Sequence, residues 1–201
     1  MTVSTGFRPN QGSSGAIRFI DGIGFEGLGS AGFDDNDLLI IGDDLDNLLT
    51  GGLGHDEIEG GGGNDILKGG AGNGILEGGD GDDDLDGQEG TEKLFGGDGS
   101  DILRVGDGYD RLNGGTGNDT FGFYGAGHFE IADFTIDEDR LFFDSEILGI
   151  HSFSELTSYI TDVTDNGDSV FTVEFIGGAA TIELVGVNIN SITTDMIVYT
   201  L

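Results

Sequence analysis

Aspartate falls at the same place in one glycine-rich block after another. Residues 60–68 read GGGGNDILK, 78–86 read GGDGDDDLD and 96–104 read GGDGSDILR. Glycine at the first, second and fourth places admits backbone conformations closed to other residues, so each block opens on a tight turn whose carbonyls are free to point at something. The acid at the sixth place ends the turn. Carbonyls and carboxylates are hard oxygen donors, and a frame that repeats them at fixed spacing suits a multivalent cation. A solvated acidic face is the plainer reading of most charge runs. Here the constant place of the acid within the glycine frame argues against it.

The elements that must hold these donors are set by the rest of the block. From Gly42 the blocks run without a break, nine residues each. Their eighth place reads Leu49, Ile58, Leu67, Leu76, Leu85, Leu94, Leu103, Leu112 and Phe121. One inward side chain per block reads as a short strand, and alone it makes no core. Stacked blocks bury a continuous row of them. A degenerate block, one residue too long, is expected at 32–41 with Asp37 at its sixth place. The regular blocks carry Asn47, Asp56, Asp65, Asp83, Asp101, Asp110 and Asp119 there, and Gly74 and Glu92 depart from the pattern.

The repeat G-G-x-G-x-D-x-U-x, with U a large apolar residue, resembles the RTX (hemolysin-type) calcium-binding nonapeptide repeat. The resemblance implies an all-β, right-handed parallel β-roll in which each block gives a turn and a strand and two blocks make one coil. Turns then stack at 18-residue separation along two edges. Ca2+ ions lie between successive turns of an edge, bridged by the aspartates. The implied donors are the sixth-place side chains and the carbonyls of the turn. In the regular turns those carbonyls belong to Gly60, Gly61, Gly62 and Gly63, to Gly78, Gly79, Asp80 and Gly81, to Gly96, Gly97, Asp98 and Gly99, and to Gly115 and Gly117.

Sorting the blocks by edge sharpens the expectation. One edge carries Asn47, Asp65, Asp83, Asp101 and Asp119, and the other Asp56, Gly74, Glu92 and Asp110. The first should hold a row of four inter-turn sites across its five turns, weakest at the uncharged Asn47. The second should be patchy, with the site beside Gly74 weak or empty. Gln88, Glu89 and Val105 also replace expected residues on that edge.

Composition bounds the rest. A length of 201 residues allows one domain, or one with a cap. Glycine numbers 41 and proline 1, but the absence of a three-residue period excludes collagen. With 39 acidic residues against 7 basic, the net charge is -32, which disfavours nucleic acid and anionic membranes and favours cations. There is no cysteine, so no disulfide can staple the chain. No apolar run is long enough for a transmembrane helix, and residues 1–20 lack the apolar core of a cleavable signal peptide.

Three regions are expected: 1–31 as an N-terminal cap or a remnant of a partner domain, 32–122 as the roll, and 123–201 as a β-rich C-terminal cap. Strands are expected at 129–134, 140–143, 169–176 and 180–185, with turns at 165–168 and 177–178. A short helix is expected at 154–159 with Ser152 as its cap. The segments 131–141 and 181–187 resemble the stretch C-terminal to the repeats in secreted RTX proteins. The tail 195–201, an acid succeeded by apolar residues, is similar to the uncleaved signal of type I secretion substrates; an ordinary last strand is the plainer reading.

Other motifs fail on inspection. The GLGSAG at 27–32 matches a dinucleotide fingerprint only because glycine is abundant, and no amphipathic helix succeeds it. The loop beginning at Asp82 has Lys93 where an EF-hand needs a bidentate glutamate. No H-E-x-x-H occurs, and His55, His128 and His151 are scattered, as surface residues would be. No acid pair is singled out for catalysis, so the chain is expected not to be an enzyme. The expected function is a secreted bacterial calcium-binding module, extracellular or at the cell surface, that folds on meeting calcium. Its expected partners are calcium ions, the type I secretion machinery and a surface or matrix glycan or protein. Alternative readings are the secretion and folding module of a larger secreted enzyme, which coding sequence upstream of Met1 would reveal, and a glycan- or ice-binding face.

Overall fold

The computed structural model describes residues 18–21, 37–165, 170–175 and 179–201. Its strands are β1 (Arg18–Asp21), β2 (Leu38–Ile41), β3 (Leu48–Leu53), β4 (Glu57–Gly62), β5 (Ile66–Gly72), β6 (Ile75–Asp80) and β7 (Asp84–Gly90). They continue as β8 (Lys93–Asp98), β9 (Ile102–Val105), β10 (Gly108–Thr116), β11 (Thr120–Phe123), β12 (Gly127–Ile131) and β13 (Arg140–Phe143). Strands two apart pair in parallel. One face runs β3, β5, β7, β9, β11, β13, and the other runs β2, β4, β6, β8, β10, β12. The chain is thus a parallel β-solenoid with two blocks per coil.

The register is set by the eighth-place residues. Leu49 lies beside Leu67 and Ile58 beside Leu76, 18 residues on in each case. All nine are at most 1% exposed, so the predicted single row becomes a continuous core column. Burial of each leucine is worth roughly 1.5–3 kcal/mol, too little for one block and ample for the stack. The outward seventh places Leu48, Ile66 and Ile75 are exposed.

The same register corrects the degenerate block. Ile40 pairs with Ile58, and the Leu38 N–H donates to Asp56 Oδ1 at 2.8 Å. The sixth place therefore belongs to Leu38. Asp37 stands at the fifth, where its Oδ1 accepts the His55 N–H at 2.6 Å. The buried Ile40 fixes the count backward from the core, and a count forward from the glycines misplaces Asp37 by one.

Beyond the repeats the coil loosens by a residue or two: Leu112 lies beside Ile131 and Phe121 beside Leu141. β12 stops at Ile131, short of the expected 134, because Asp133 turns away to bond the Gly114 and Gly115 N–H groups. The column ends in stacked aromatics. Phe123 packs against Phe129 and Phe143, and Phe143 against Phe175, with ring centroids 5.0–6.0 Å apart.

Two short helices come next. α1 (Ser145–Leu148), which the sequence pattern does not announce, is capped by Asp144 and closed by Gly149 in the left-handed region. α2 (Phe153–Tyr159) starts at the expected Ser152, whose Oγ accepts the Glu155 N–H at 3.2 Å. β14 (Ile160–Asp165), β15 (Val170–Phe175) and β16 (Ala180–Val185) then form an antiparallel meander. Its last strand continues the solenoid beside β12, and β17 (Ile197–Val198) does the same beside β13. Of the expected turn at 165–168, Asp165 ends β14, while residues 166–168, the expected turn at 177–178 and nearly all of 1–31 lie outside the described residues. β1 pairs antiparallel with β2. No helix among the described residues is long and apolar enough to cross a membrane.

Candidate metal centre

The first edge is a ladder of carboxylates joined through the backbone. The Asn47 N–H donates to Asp65 Oδ1 at 2.7 Å, that of Asp65 to Asp83 at 2.7 Å, that of Asp83 to Asp101 at 2.8 Å, and that of Asp101 to Asp119 at 3.0 Å. Each bond spans 18 residues, one coil. Each aspartate thus gives one oxygen to the turn below it. The other faces the turn above. A methyl group placed on Gly60 would fall 2.5 Å from the Gly78 carbonyl oxygen and closer still to Asp65 Oδ2. The same convergence recurs at Gly78, on Asp83 and Gly96, and at Gly96, on Asp101 and Gly114.

Other carbonyls point into the same gaps. The Gly61 oxygen lies under Gly79, and the Gly63 oxygen under Gly81. Gly79 has φ +116°, a left-handed conformation that turns successive carbonyls to one side and that side-chain-bearing residues rarely adopt. The pattern repeats one coil up, with Gly79 and Gly81 under Gly97 and Gly99, and again with Gly97 and Gly99 under Gly115 and Gly117. The third-place carbonyls are engaged in the ladder itself: Asp98 accepts the Gly81 N–H at 2.7 Å. Each interior gap of the first edge therefore presents two carboxylate oxygens and three carbonyls. Among the described residues no three acidic or histidine side chains converge on one point, so backbone oxygens supply most of the donors.

Electrostatics shows what this arrangement lacks. Asp65, Asp83, Asp101 and Asp119 are 1–2% exposed, and the Oδ2 atoms of Asp65, Asp83 and Asp101 have no hydrogen-bond partner. Burial pushes Asp65 and Asp119 up to about 6 and Asp101 up to about 7, against bonds from backbone N–H groups that pull the other way. Asp83 is raised by burial as well. A buried carboxylate beside others of its kind needs a cation or a proton. The gap offers neither a basic side chain nor a donor, only more oxygens. Hard donors converging at contact distance, with no Cβ in the way, fit calcium, which takes six to eight oxygens at about 2.3–2.6 Å.

The ends and the second edge differ. At the first turn the Asn47 amide donates to the Leu45 carbonyl at 2.6 Å and to Asp43 at 3.1 Å, so it consumes oxygens that a higher turn leaves free. On the second edge Asp110 Oδ1 accepts the Glu92 N–H at 2.9 Å, and Asp56 accepts from Leu38. Between them Gly74 brings no side chain. Glu92 and Asp110 are both fully buried and lie against one another; burial and this contact push Glu92 up, and burial pushes Asp110 up.

Two features are not evident from the repeat pattern. The first edge has a sixth rung, Asp139, whose Oδ1 accepts the Asp119 N–H at 2.9 Å. A second ladder runs at the fifth place, where Asp46, Asn64 and Asp82 accept the N–H of Asn64, Asp82 and Ser100. The signal for it is the recurrence of Asn and Asp at that place.

The RTX calcium-binding nonapeptide repeat family matches residues 41–76, 75–91 and 95–122, in four copies. The repeat segment is an RTX β-roll. As such it is a calcium-binding repeat module. Among solved structures, the chain is similar to the AlgE6R3 subunit of the Azotobacter vinelandii mannuronan C5-epimerase, at 25% identity and a TM-score of 0.40 over 78% of this chain and 79% of that one. The AlgE6R2 subunit of the same epimerase matches at 24% identity and a TM-score of 0.38, over 79% of this chain and 91% of that one. The extracellular lipase LipA from Serratia marcescens matches at 19% identity and a TM-score of 0.36, over 77% of this chain. The chain spans 38% of the lipase's length. Comparison with curated proteins gives no match.

Proposed function

We propose that the chain is a secreted, non-enzymatic module that folds as its RTX roll takes up calcium outside the cell. The observation that carries this reading is the row of buried carboxylate oxygens without partners, each aimed into a gap lined by carbonyls. With a net charge of -32 and 41 glycines, the ion-free chain meets both charge repulsion and a large entropic cost on folding. Calcium removes the repulsion, and its binding free energy becomes folding free energy. Sites stacked along one edge share their aspartates, so loading is cooperative. The acids of the rows are sealed from solvent, out of reach of a substrate, which supports a binding role over a catalytic one.

An unfolded chain in low-calcium cytosol suits export, and the 195–201 tail supports a type I secretion signal as the address. The folded surface then meets a glycan or protein of the matrix or cell surface. The test is a calcium titration of EDTA-stripped protein monitored by far-UV circular dichroism, with magnesium as control. A steep, calcium-selective gain of β signal is expected. Equal hydrogen-exchange protection in EDTA and in calcium would remove the folding switch.

A further inference from the structure

The outward face of the even-numbered strands carries its charges in two blocks. Its seventh and ninth places read Glu57 and Glu59 on β4, Ile75 and Glu77 on β6, Lys93 and Phe95 on β8, and Arg111 and Asn113 on β10. The half nearer the N-terminus is acidic and the half nearer the C-terminus is basic. Two of the chain's 7 basic residues thus share one small patch of a molecule whose net charge is -32. Ile75, Glu77, Lys93, Phe95 and Arg111 are all exposed.

Neither block is compensated within one chain. Lys93 stands directly beside Arg111 in the register, and like charges so placed repel. Glu59 stands beside Glu77 in the same way. Partial burial pushes Glu59 up, and the charges of Glu57 and Glu77 add to that. Arg111 has an acid partner in Glu130, 3.3 Å from its Nε, on the side away from Lys93. Among the described residues Lys93 has no ion-pair partner.

Acids and bases alternating from strand to strand would gain cross-strand pairs on a face that only meets water. Segregation forfeits those pairs and makes the face complementary to its own reverse. A two-fold axis along the strands, between β6 and β8, lays β4 over β10 and β6 over β8 of a second copy. Glu57 then meets Arg111 of that copy, and Glu77 comes within side-chain reach of its Lys93. Ile75 and Phe95 of both copies form an apolar centre.

We propose that the outward face of β4, β6, β8 and β10 is a docking surface for a second copy of this chain, joined about that axis. Four strands about 4.8 Å apart, with about three residues of each, make a patch well below the roughly 800 Å² per partner of a standard interface. The association is therefore weak, with a dissociation constant between about 1 μM and 1 mM. Repulsion between two acidic molecules opposes it, and cations held along the edges reduce that repulsion.

Sedimentation equilibrium of the full chain in saturating calcium, at up to about 1 mM protein, reads the association. Lys93→Glu and Glu77→Lys should each weaken it about tenfold or more, because either sets like charges against each other across the axis. An equimolar mixture of the two variants should associate at least as tightly as the natural chain, since each offers the charge the other lacks. Both positions are exposed, so both variants should fold, and far-UV circular dichroism in calcium checks that they do. A folded natural chain that stays monomeric at about 1 mM would overturn the inference and leave Lys93 and Arg111 to a foreign anionic partner. A dimer that both variants leave intact would also overturn it, as would a mixture of the variants that stays apart.

Discussion

The Asp83 N–H donates to the Asp101 carboxylate at 2.8 Å across one full coil, while the second oxygen of Asp101 lies buried without a partner. One side chain thus does two jobs: it ties adjacent turns and it offers charge to the gap above. Asp101→Asn separates the jobs, because the amide oxygen still accepts the N–H while the charge is lost. The calcium midpoint for folding should rise about tenfold, equivalent to about 1.4 kcal/mol. Asn47→Asp should move the midpoint the other way, since it adds the missing charge and frees the Leu45 carbonyl. Circular dichroism across a calcium titration reads both, and an unchanged midpoint for Asp101→Asn would show that its charge has no part in binding.

Glycine at the first place is required for room. A methyl on Gly78 would stand 2.6 Å from the Gly96 oxygen and closer to Asp83 Oδ2, in the space assigned to the ion. Gly78→Ala should cost about 1–3 kcal/mol from crowding alone, and more in calcium if an ion is displaced. Gly62, at the third place, has nothing nearer than 3.6 Å to an added Cβ and no left-handed backbone, so Gly62→Ala should change stability by no more than about 0.5 kcal/mol. Urea unfolding in calcium compares the two; equal losses would mean that turn glycines serve chain flexibility and not the gap.

How far the sequence reveals the molecule depends on the length scale of the rule at work. Period nine exposes the core column and the carboxylate rows because every block repeats one local solution, so Leu67 and Asp65 are legible from their neighbours alone. Asp37 is misplaced by a forward count because the degenerate block has no such frame and its register comes from Ile40 packed in the column. Asp139 escapes notice because it stands 20 residues beyond Asp119 in place of 18 and its turn, residues 132–138, has no glycine, so only the pairing of Arg140 with Thr120 shows that it continues the edge. The helix α1 depends on Asp144 and Gly149 as caps, signals too short to stand out in a polar stretch.

Acid should partly replace calcium. Asp65, Asp101 and Asp119 have folded values near 6 or 7 against 3.8 in an unfolded chain, so protonation favours the folded state. That stabilisation is fully present below about 3.8 and is lost as pH rises through about 6–7. The calcium-free roll should therefore gain β signal as the pH falls from neutral towards about 4. Calcium affinity should weaken over the same window, because protons compete for the same oxygens. EDTA-treated protein whose circular dichroism stays flat between these limits would contradict the burial of these acids.

The last rung of the first edge makes the sharpest contrast with the interior. Asp139 repeats the bond to the turn below, but its second oxygen accepts the Thr135 N–H at 2.7 Å. It therefore carries no orphan oxygen, and the turn it closes holds no run of glycines. Asp139→Asn forces an amide hydrogen against one of two N–H donors and should cost about 1–3 kcal/mol in stability. Because neither oxygen is left for an ion above, the number of calcium ions bound at saturation should not change. Asp101→Asn should show the reverse, a modest structural loss with a weakened or vacant site. Urea unfolding and ion counting on the two variants separate a rung that ends the row from one that fills it; a lost ion in Asp139→Asn would extend the cation row past the repeats.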